Sequence, residues 1–215
     1  MKKKLNKSVL FLGKKEDVYC DQASDVIRQT FYKSSIYLSE WGDEIPSNVL
    51  SWEGDYIISY LSRWIVPKSV INSAKKAAIN FHPASPDYPG IGCNNFALYD
   101  ESIIYGVTCH HMDSKVDTGK IIATKEFPIY PQDSVESLLN RTYKFQFELF
   151  MEIINIIINN HELPRSRIKW KRKPYTREEF NKLTIINDSM DSNEIARRKR
   201  AVTYGAWKPE YTSKS

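Results

Sequence analysis

The chain has 215 residues, 41% of them hydrophobic and 27% charged, with a formal net charge of +5. That balance is ordinary for a soluble globular protein and argues against disordered or fibrous classes. The length allows one domain with a full core, or one domain with a small appendage.

The longest apolar run, residues 153–158, is interrupted by Asn155 and falls far short of the roughly 20 residues a membrane span needs. Residues 1–4 are basic, but only residues 9–12 follow as an apolar run, so no secretory signal is expected and a cytoplasmic location is. Cys20, Cys93 and Cys109 show no paired spacing. They read as reduced thiols, with neither a disulfide framework nor a zinc site. Excess positive charge gathers at the amino terminus, at residues 165–172 and at residues 197–200. These patches read as solvated surface or as attraction for a phosphorylated small molecule. The net charge is too small to call for nucleic acid.

In chain order, residues 9–12 predict a buried strand closed by Gly13, and residues 21–31 a helix with Ala23, Val26, Ile27 and Phe31 on one side. Residues 35–38 and 55–60 predict two more strands. Pro67 opens a helix to about residue 74, in the first turn, where its missing N–H costs nothing. Residues 77–82 form a fourth strand, stopped by Pro83. A short helix at 95–99 precedes strands at 103–110 and 120–129. Ser134 caps a long helix to about residue 160, with Ser137 at its third position. Residues 165–173 alternate basic and apolar side chains. Thr176 and Glu179 make a capping box for a short helix, and a last helix covers 191–202. Residues 203–207 are aromatic and irregular, and residues 212–215 are expected to fray.

Alternating strands and helices predict an α/β fold with a parallel sheet, whose ligands bind beyond the carboxyl ends of strands. Asn80 and His82 stand at such an end, at alternate strand positions and so on one face. Asp117 follows in a turn. An amide, an imidazole and a carboxylate are what acyl transfer needs: an oxyanion donor, a proton handler and a group to orient it. His82, His110, His111 and Asp113 fit no usual metal-ligand spacing, so no metal is expected.

Four motifs occur in order: Asn80-x-His82-Pro83, Tyr88-Pro89-Gly90, Gly106-Val107-Thr108-x-His110 and Asp117-Thr118-Gly119. Over about residues 9–160 they resemble the N10-formyltetrahydrofolate-dependent formyltransferases, a family including the purine transformylases, the methionyl-tRNA formyltransferases and the sugar N-formyltransferases. The resemblance implies a Rossmann-like formyltransferase core at residues 1–162 and a carboxy-terminal appendage at 163–215 that builds a homodimer through a basic β-hairpin at residues 168–175. It implies catalytic roles for Asn80, His82 and Asp117. Asn80 and a protonated His82 would hold the oxyanion, Asp117 would favour the charged imidazole, and either His82 or Asp117 would take the amine proton. His110 would stand behind them.

The same resemblance implies that the pterin of the formyl donor lies on the loop of Leu61, Arg63, Trp64 and Ile65, opposite Met112 and Asp113. Residues 84–99 depart from the common family pattern and look like those of the nucleotide-sugar N-formyltransferases. Tyr88, Gly90, Asn94 and Asn95 would then face the sugar, with Trp207, Tyr204 and the basic residues near Arg197 at the nucleotide. The expected acceptor is a dTDP-4-amino-4,6-dideoxyglucose destined for a surface polysaccharide such as O-antigen. The alternatives are a 3-amino dTDP-sugar, a purine precursor, or a non-catalytic folate- or nucleotide-binding module. A methionyl-tRNA enzyme would need a further barrel domain, for which the residues after the long helix are too few. Gly13-Lys14-Lys15 is too poor in glycine for a dinucleotide site.

Overall fold

The computed structural model describes residues 4–212. The basic residues 1–3 and the end of the tail expected to fray, residues 213–215, lie outside the described residues. The chain runs β1 (Leu5–Lys14), α1 (Val18–Thr30), β2 (Phe31–Ser39), α2 (Ser47–Leu50), β3 (Gly54–Tyr60), α3 (Lys68–Ile71), β4 (Ala74–His82) and α4 (Cys93–Tyr99). It continues through β5 (Ile104–His111), β6 (Ile121–Pro128), α5 (Val135–Ile158), α6 (Arg177–Leu183), β7 (Ile185–Asn187), α7 (Ser192–Val202) and β8 (Glu210–Thr212).

Six strands form one sheet in the order β2-β1-β3-β4-β5-β6. The first four are mutually parallel, and β5 runs antiparallel to both β4 and β6. The sheet is therefore mostly parallel, with a reversal at β4/β5. β1 is central and covered on both sides, which is why residues 9–12 read as an unbroken apolar run. Val9 and Phe11 enter the larger core with Ile58, Ile79, Phe81 and Phe150 of α5. Leu10 and Leu12 enter a smaller one with Ile57, Val70 and Ala78.

The helix expected from Pro67 to residue 74 shrinks to α3, because Ala74 already pairs with Gly54 as the start of β4. Pro67 is the N-cap rather than a first-turn residue.

The expected hairpin at residues 168–175 is absent. Residues 161–174 hold no helix or strand. Their alternation of basic and apolar residues reflects an extended strap whose backbone bonds to the loop after β4. Lys171 N–H donates to Pro86 O (3.0 Å), Tyr175 N–H to Pro89 O (2.8 Å), and Ile91 N–H to Tyr175 O (3.1 Å). With its partners supplied by a loop, the strap has no second strand to fold against.

The carboxy-terminal helices join the main core. Phe180, Leu183, Ala201 and Val202 pack in the same cluster as Val9 and Phe150. α7 is tied to α4 by Asn95 Nδ2–H donating to Ala201 O (2.7 Å) and Arg197 to Tyr99 O (2.9 Å). The core therefore has no break at residue 162. Among the described residues no helix is long and apolar enough to cross a membrane.

Candidate active site

The β4/β5 reversal places the carboxyl end of β4 against β5, pairing Asn80 with His110 and His82 with Thr108. Alternation turns Asn80, His82, Thr108 and His110 to one face. The loop after β5 then returns Asp117 to that face in the left-handed conformation, φ +48°. Gly119 follows, where a side chain would collide with the carbonyl of His111, so only glycine lets the loop turn back this closely.

Asp117 is the hub. Its Oδ2 lies 3.2 Å from His82 Nδ1, its Oδ1 3.3 Å from His110 Nε2, and Gly90 N–H donates to Oδ2 at 2.9 Å. His110 is fixed by its Nδ1–H, which donates to His111 O (2.8 Å), while Asn80 Nδ2 lies 3.1 Å from its Nε2. All three hub residues are almost wholly buried, His82 and Asp117 at 4% exposure and His110 at 2%.

Burial by itself would raise the pKa of Asp117. His82, His110 and the Gly90 N–H outweigh it and hold the carboxyl below its usual range.

For His82 the balance goes the other way. Burial lowers its pKa more than Asp117 and the Tyr88 carbonyl raise it. The imidazole therefore stands below its ordinary value and is neutral at neutral pH. Asp117 does favour the charged ring, as expected, but burial outweighs it, so the expected protonated resting His82 is corrected. Both ring nitrogens nevertheless face acceptors, since Nε2 lies 3.0 Å from Tyr88 O. A neutral ring can donate to only one of them, and a captured proton completes both bonds.

Cys93 Sγ sits 3.7 Å from His82 Nε2. It is no nucleophile, because burial pushes its thiol pKa up and the S–H donates to Gly90 O (3.1 Å).

Asn80, His82 and Asp117 border a cleft of about 310 Å³ whose other walls include Leu61, Arg63, Trp64, Ile65, Met112 and Asp113. The catalytic and donor-binding residues expected from the motifs thus share one cavity. Leu61, like Asp117, is held in the left-handed region (φ +57°), an uncommon conformation for a non-glycine residue. Trp64 is partly structural, its Nε1–H donating to Asp43 O (2.8 Å), and Arg63 stacks on Trp41 at 4.6 Å. A second cleft of about 1000 Å³ lies between His111, residues 118–121 and residues 164–170.

The expected acceptor residues divide. Gly90 borders the catalytic cleft. Tyr88 contributes only its carbonyl, because its ring is buried against Tyr105 and Tyr175. Asn95 is engaged by α7 through Ala201 O. Asn94 and Trp207 border neither cleft. Trp207 packs on Phe180, and Tyr204 bonds back to Trp207 in a tight turn. Arg197 is likewise engaged, on Tyr99.

Trp170 was not singled out from the sequence, yet its ring lies edge-on to His82 (5.8 Å) and His110 (5.1 Å), and its Nε1–H donates to Gly119 O (2.8 Å). A large aromatic residue inside a basic stretch was the one sequence sign of such a role.

The formyl transferase family model matches residues 7–154, more than half of the chain and the whole stretch from β1 into α5. The chain belongs to the formyl transferase family. A methionyl-tRNA formyltransferase of Listeria monocytogenes is 30% identical over 107 residues, which are 49% of this chain and 34% of that relative. The chain thus spans about a third of the length of the relatives it matches.

Among solved structures, a 4-N formyltransferase from Francisella tularensis superposes with a TM-score of 0.77 at 19% identity, covering 95% of this chain and 92% of the other. An N-formyltransferase from Helicobacter canadensis, solved with folinic acid and dTDP-3-aminofucose, gives 0.70 at 21% identity, covering 90% and 80%. At such identities the likeness is one of fold. The fold is the Rossmann-like formyltransferase core that the motifs implied, and it extends here over nearly the whole chain.

Proposed function

We propose that this protein transfers a formyl group from N10-formyltetrahydrofolate to the primary amine of a dTDP-linked amino-dideoxyhexose. The observation that carries this reading is the placement of Asn80, His82 and Asp117 on the wall of the same cleft as the Leu61–Ile65 loop and Met112. That cleft offers apolar walls to a pterin and an amide donor and proton-accepting pair to its formyl group.

In the reaction the acceptor amine attacks the formyl carbon. The carbonyl oxygen becomes an oxyanion, which the Asn80 side-chain N–H not engaged by His110 stabilises. The amine proton passes to the His82–Asp117 pair, and the imidazolium so formed donates to both Asp117 and Tyr88 O. The bond from N10 to the formyl carbon then breaks, and the proton leaves with the tetrahydrofolate nitrogen.

The sugar acceptor is supported by the family pattern at residues 84–99 and by fold neighbours described as a 4-N formyltransferase and as a complex with dTDP-3-aminofucose. Lys120, Arg165, Arg167 and Lys169 line the second cleft, with no carboxylate among its lining residues, and suit the anionic part of a nucleotide-linked acceptor. Within this class we favour the 4-amino-4,6-dideoxyglucose, with a surface polysaccharide as the end product, over a 3-amino sugar. A homodimer belongs to the same proposal. Without the hairpin it rests on the exposed Tyr204, Trp207 and Tyr211, and sedimentation or light scattering checks it.

The test is formyl transfer to the 4-amino and 3-amino dTDP-dideoxyglucoses by wild type and His82→Ala. Transfer to the 4-amino sugar that collapses in the variant is the expected result. Transfer to the 3-amino sugar alone corrects the acceptor. Failure with both sugars overturns the sugar reading, and a purine-precursor amine is then the next acceptor to try.

A further inference from the structure

We infer that the strap from Trp170 to Tyr175 is a positioning element of the catalytic centre, with Trp170 shielding His82 from water. This rests on the formyl transfer reading for its catalytic meaning and on the geometry alone for its physical content.

Two contacts of the His82–Asp117 pair come from the loop after β4: Tyr88 O faces His82 Nε2, and Gly90 N–H donates to Asp117. That loop has no regular structure to hold it, and the strap does so. Tyr175 N–H donates to Pro89 O, Ile91 N–H donates to Tyr175 O, and Lys171 N–H donates to Pro86 O. The first two bonds bracket Gly90. Gly90 has φ +94°, and a side chain there would strike the backbone of Tyr175, so glycine permits both the turn and the approach. The Tyr175 ring is clamped in turn, stacked on Phe96 at 3.6 Å and covered by the Arg172 guanidinium at 3.2 Å. Displacing the strap would release the two backbone groups that hold the reacting pair.

Trp170 completes the enclosure. Its ring closes over both imidazoles, and its N–H is anchored on Gly119, just beyond Asp117. The groups facing His82 are Asp117 from the loop after β5, His110 from β5, the Cys93 thiol from α4 and the Tyr88 carbonyl. The strap adds no charge to that list. Lys171 pairs with Asp87 (2.9 Å) and Arg172 with Glu179 (2.9 Å). Removing the indole therefore changes the hydration of His82 and leaves the charges around it unchanged.

The experiment is a nuclear magnetic resonance titration of the four histidine imidazoles in wild type, Trp170→Ala and Trp170→Phe, with His82 assigned through His82→Gln. In Trp170→Ala the midpoint of His82 is expected to rise toward the ordinary value of about 6.5. Trp170→Phe, which keeps a ring and loses only the anchor, should stay near wild type. Formyl transfer by Trp170→Ala should lose roughly tenfold to a hundredfold in kcat, the scale of a small misplacement of reacting groups. Its acid limb should move up with the titration. A His82 midpoint unmoved in Trp170→Ala overturns the inference, as does a loss of activity with no movement of that limb. If the alanine variant does not fold, Trp170→Leu gives the same reading with a smaller shift. The titration needs no substrate, so an inactive wild type would sink the functional proposal and leave this result standing.

Discussion

Asp117 carries three polar contacts on two oxygens inside a nearly closed site. Replacing it with Asn keeps the shape but offers an amide where two imidazoles and an N–H need an anion. We expect Asp117→Asn to lose at least a hundredfold in kcat with KM for the formyl donor little changed. Asn80→Ala should cost about 10²–10³ in kcat, the usual toll of removing one oxyanion donor. The pH dependence follows from His82. Its pKa lies below the ordinary 6.5, and transfer needs the neutral ring, so kcat should hold steady as pH falls through 6.5 and decline only below it. A kcat profile with an acid limb above 6.5 would contradict this order of effects. The grouping of Asn80, His82 and Asp117 on one cleft was expected from the four motifs, whose polar side chains are legible in the sequence. Tyr88 shows the limit, since its ring signalled a sugar contact while the structure uses its carbonyl, a group every residue has. Asn95 shows it too, because an amide is equally suited to a ligand or to the open end of a neighbouring helix.

The entrance to α5 shows what one well-built element contributes. Ser134 caps it, as the sequence predicted, and the Ser137 hydroxyl accepts in return from the Ser134 N–H. Asp133 just before them is 5% exposed and accepts both Arg141 nitrogens at 2.7 and 2.9 Å. Burial would raise its pKa, but Arg141, the Tyr130 N–H and the Ser137 hydroxyl bring it down to about 2. A carboxyl lowered on folding contributes stability that is complete above its unfolded value near 4 and fades as pH falls through its folded value. The shift corresponds to about 2 kcal/mol. Denaturant titrations at pH 7 should show Asp133→Asn less stable by about that amount or more, since the amide also leaves Arg141 without its bidentate partner. Between pH 4 and 2 the gap from wild type should narrow. The Ser134 cap was legible in the sequence, while the returning bond from Ser137, where a capping box usually has Glu or Gln, was not. The hairpin was expected from the family resemblance, whereas the alternation of residue character signals only an extended chain and does not say what that chain bonds to.

At the scale of the whole molecule, the carboxy-terminal quarter packs into the same hydrophobic cluster as the matched core. Its Phe180, Leu183, Ala201 and Val202 share a cluster with β1 and α5, and its α7 accepts from α4, at Ala201 O from the Asn95 amide and at Glu194 from the Tyr99 hydroxyl. The sequence suggested an appendage because its texture turns basic after Pro164, yet the charges sit mainly on the outer side while the apolar residues face inward. Burying four such side chains accounts for several kcal/mol, a large part of the stability a domain of this size possesses. Ending the chain at residue 162 would uncover the Phe96 ring that Tyr175 stacks on and remove the strap that brackets Gly90. Calorimetry of the full chain should therefore show one cooperative transition rather than two. The chain cut at 162 should fail to show a sharp transition and should lose the protected His82 titration. A sharp, independent transition in the cut chain would mean that the core through α5 stands alone and that the shared cluster adds little to it. In that case the strap would be an addition to a finished active site. The single transition is the outcome this packing supports, because three backbone groups that flank Tyr88 and Gly90, those of Pro86, Pro89 and Ile91, are bonded by residues beyond 162.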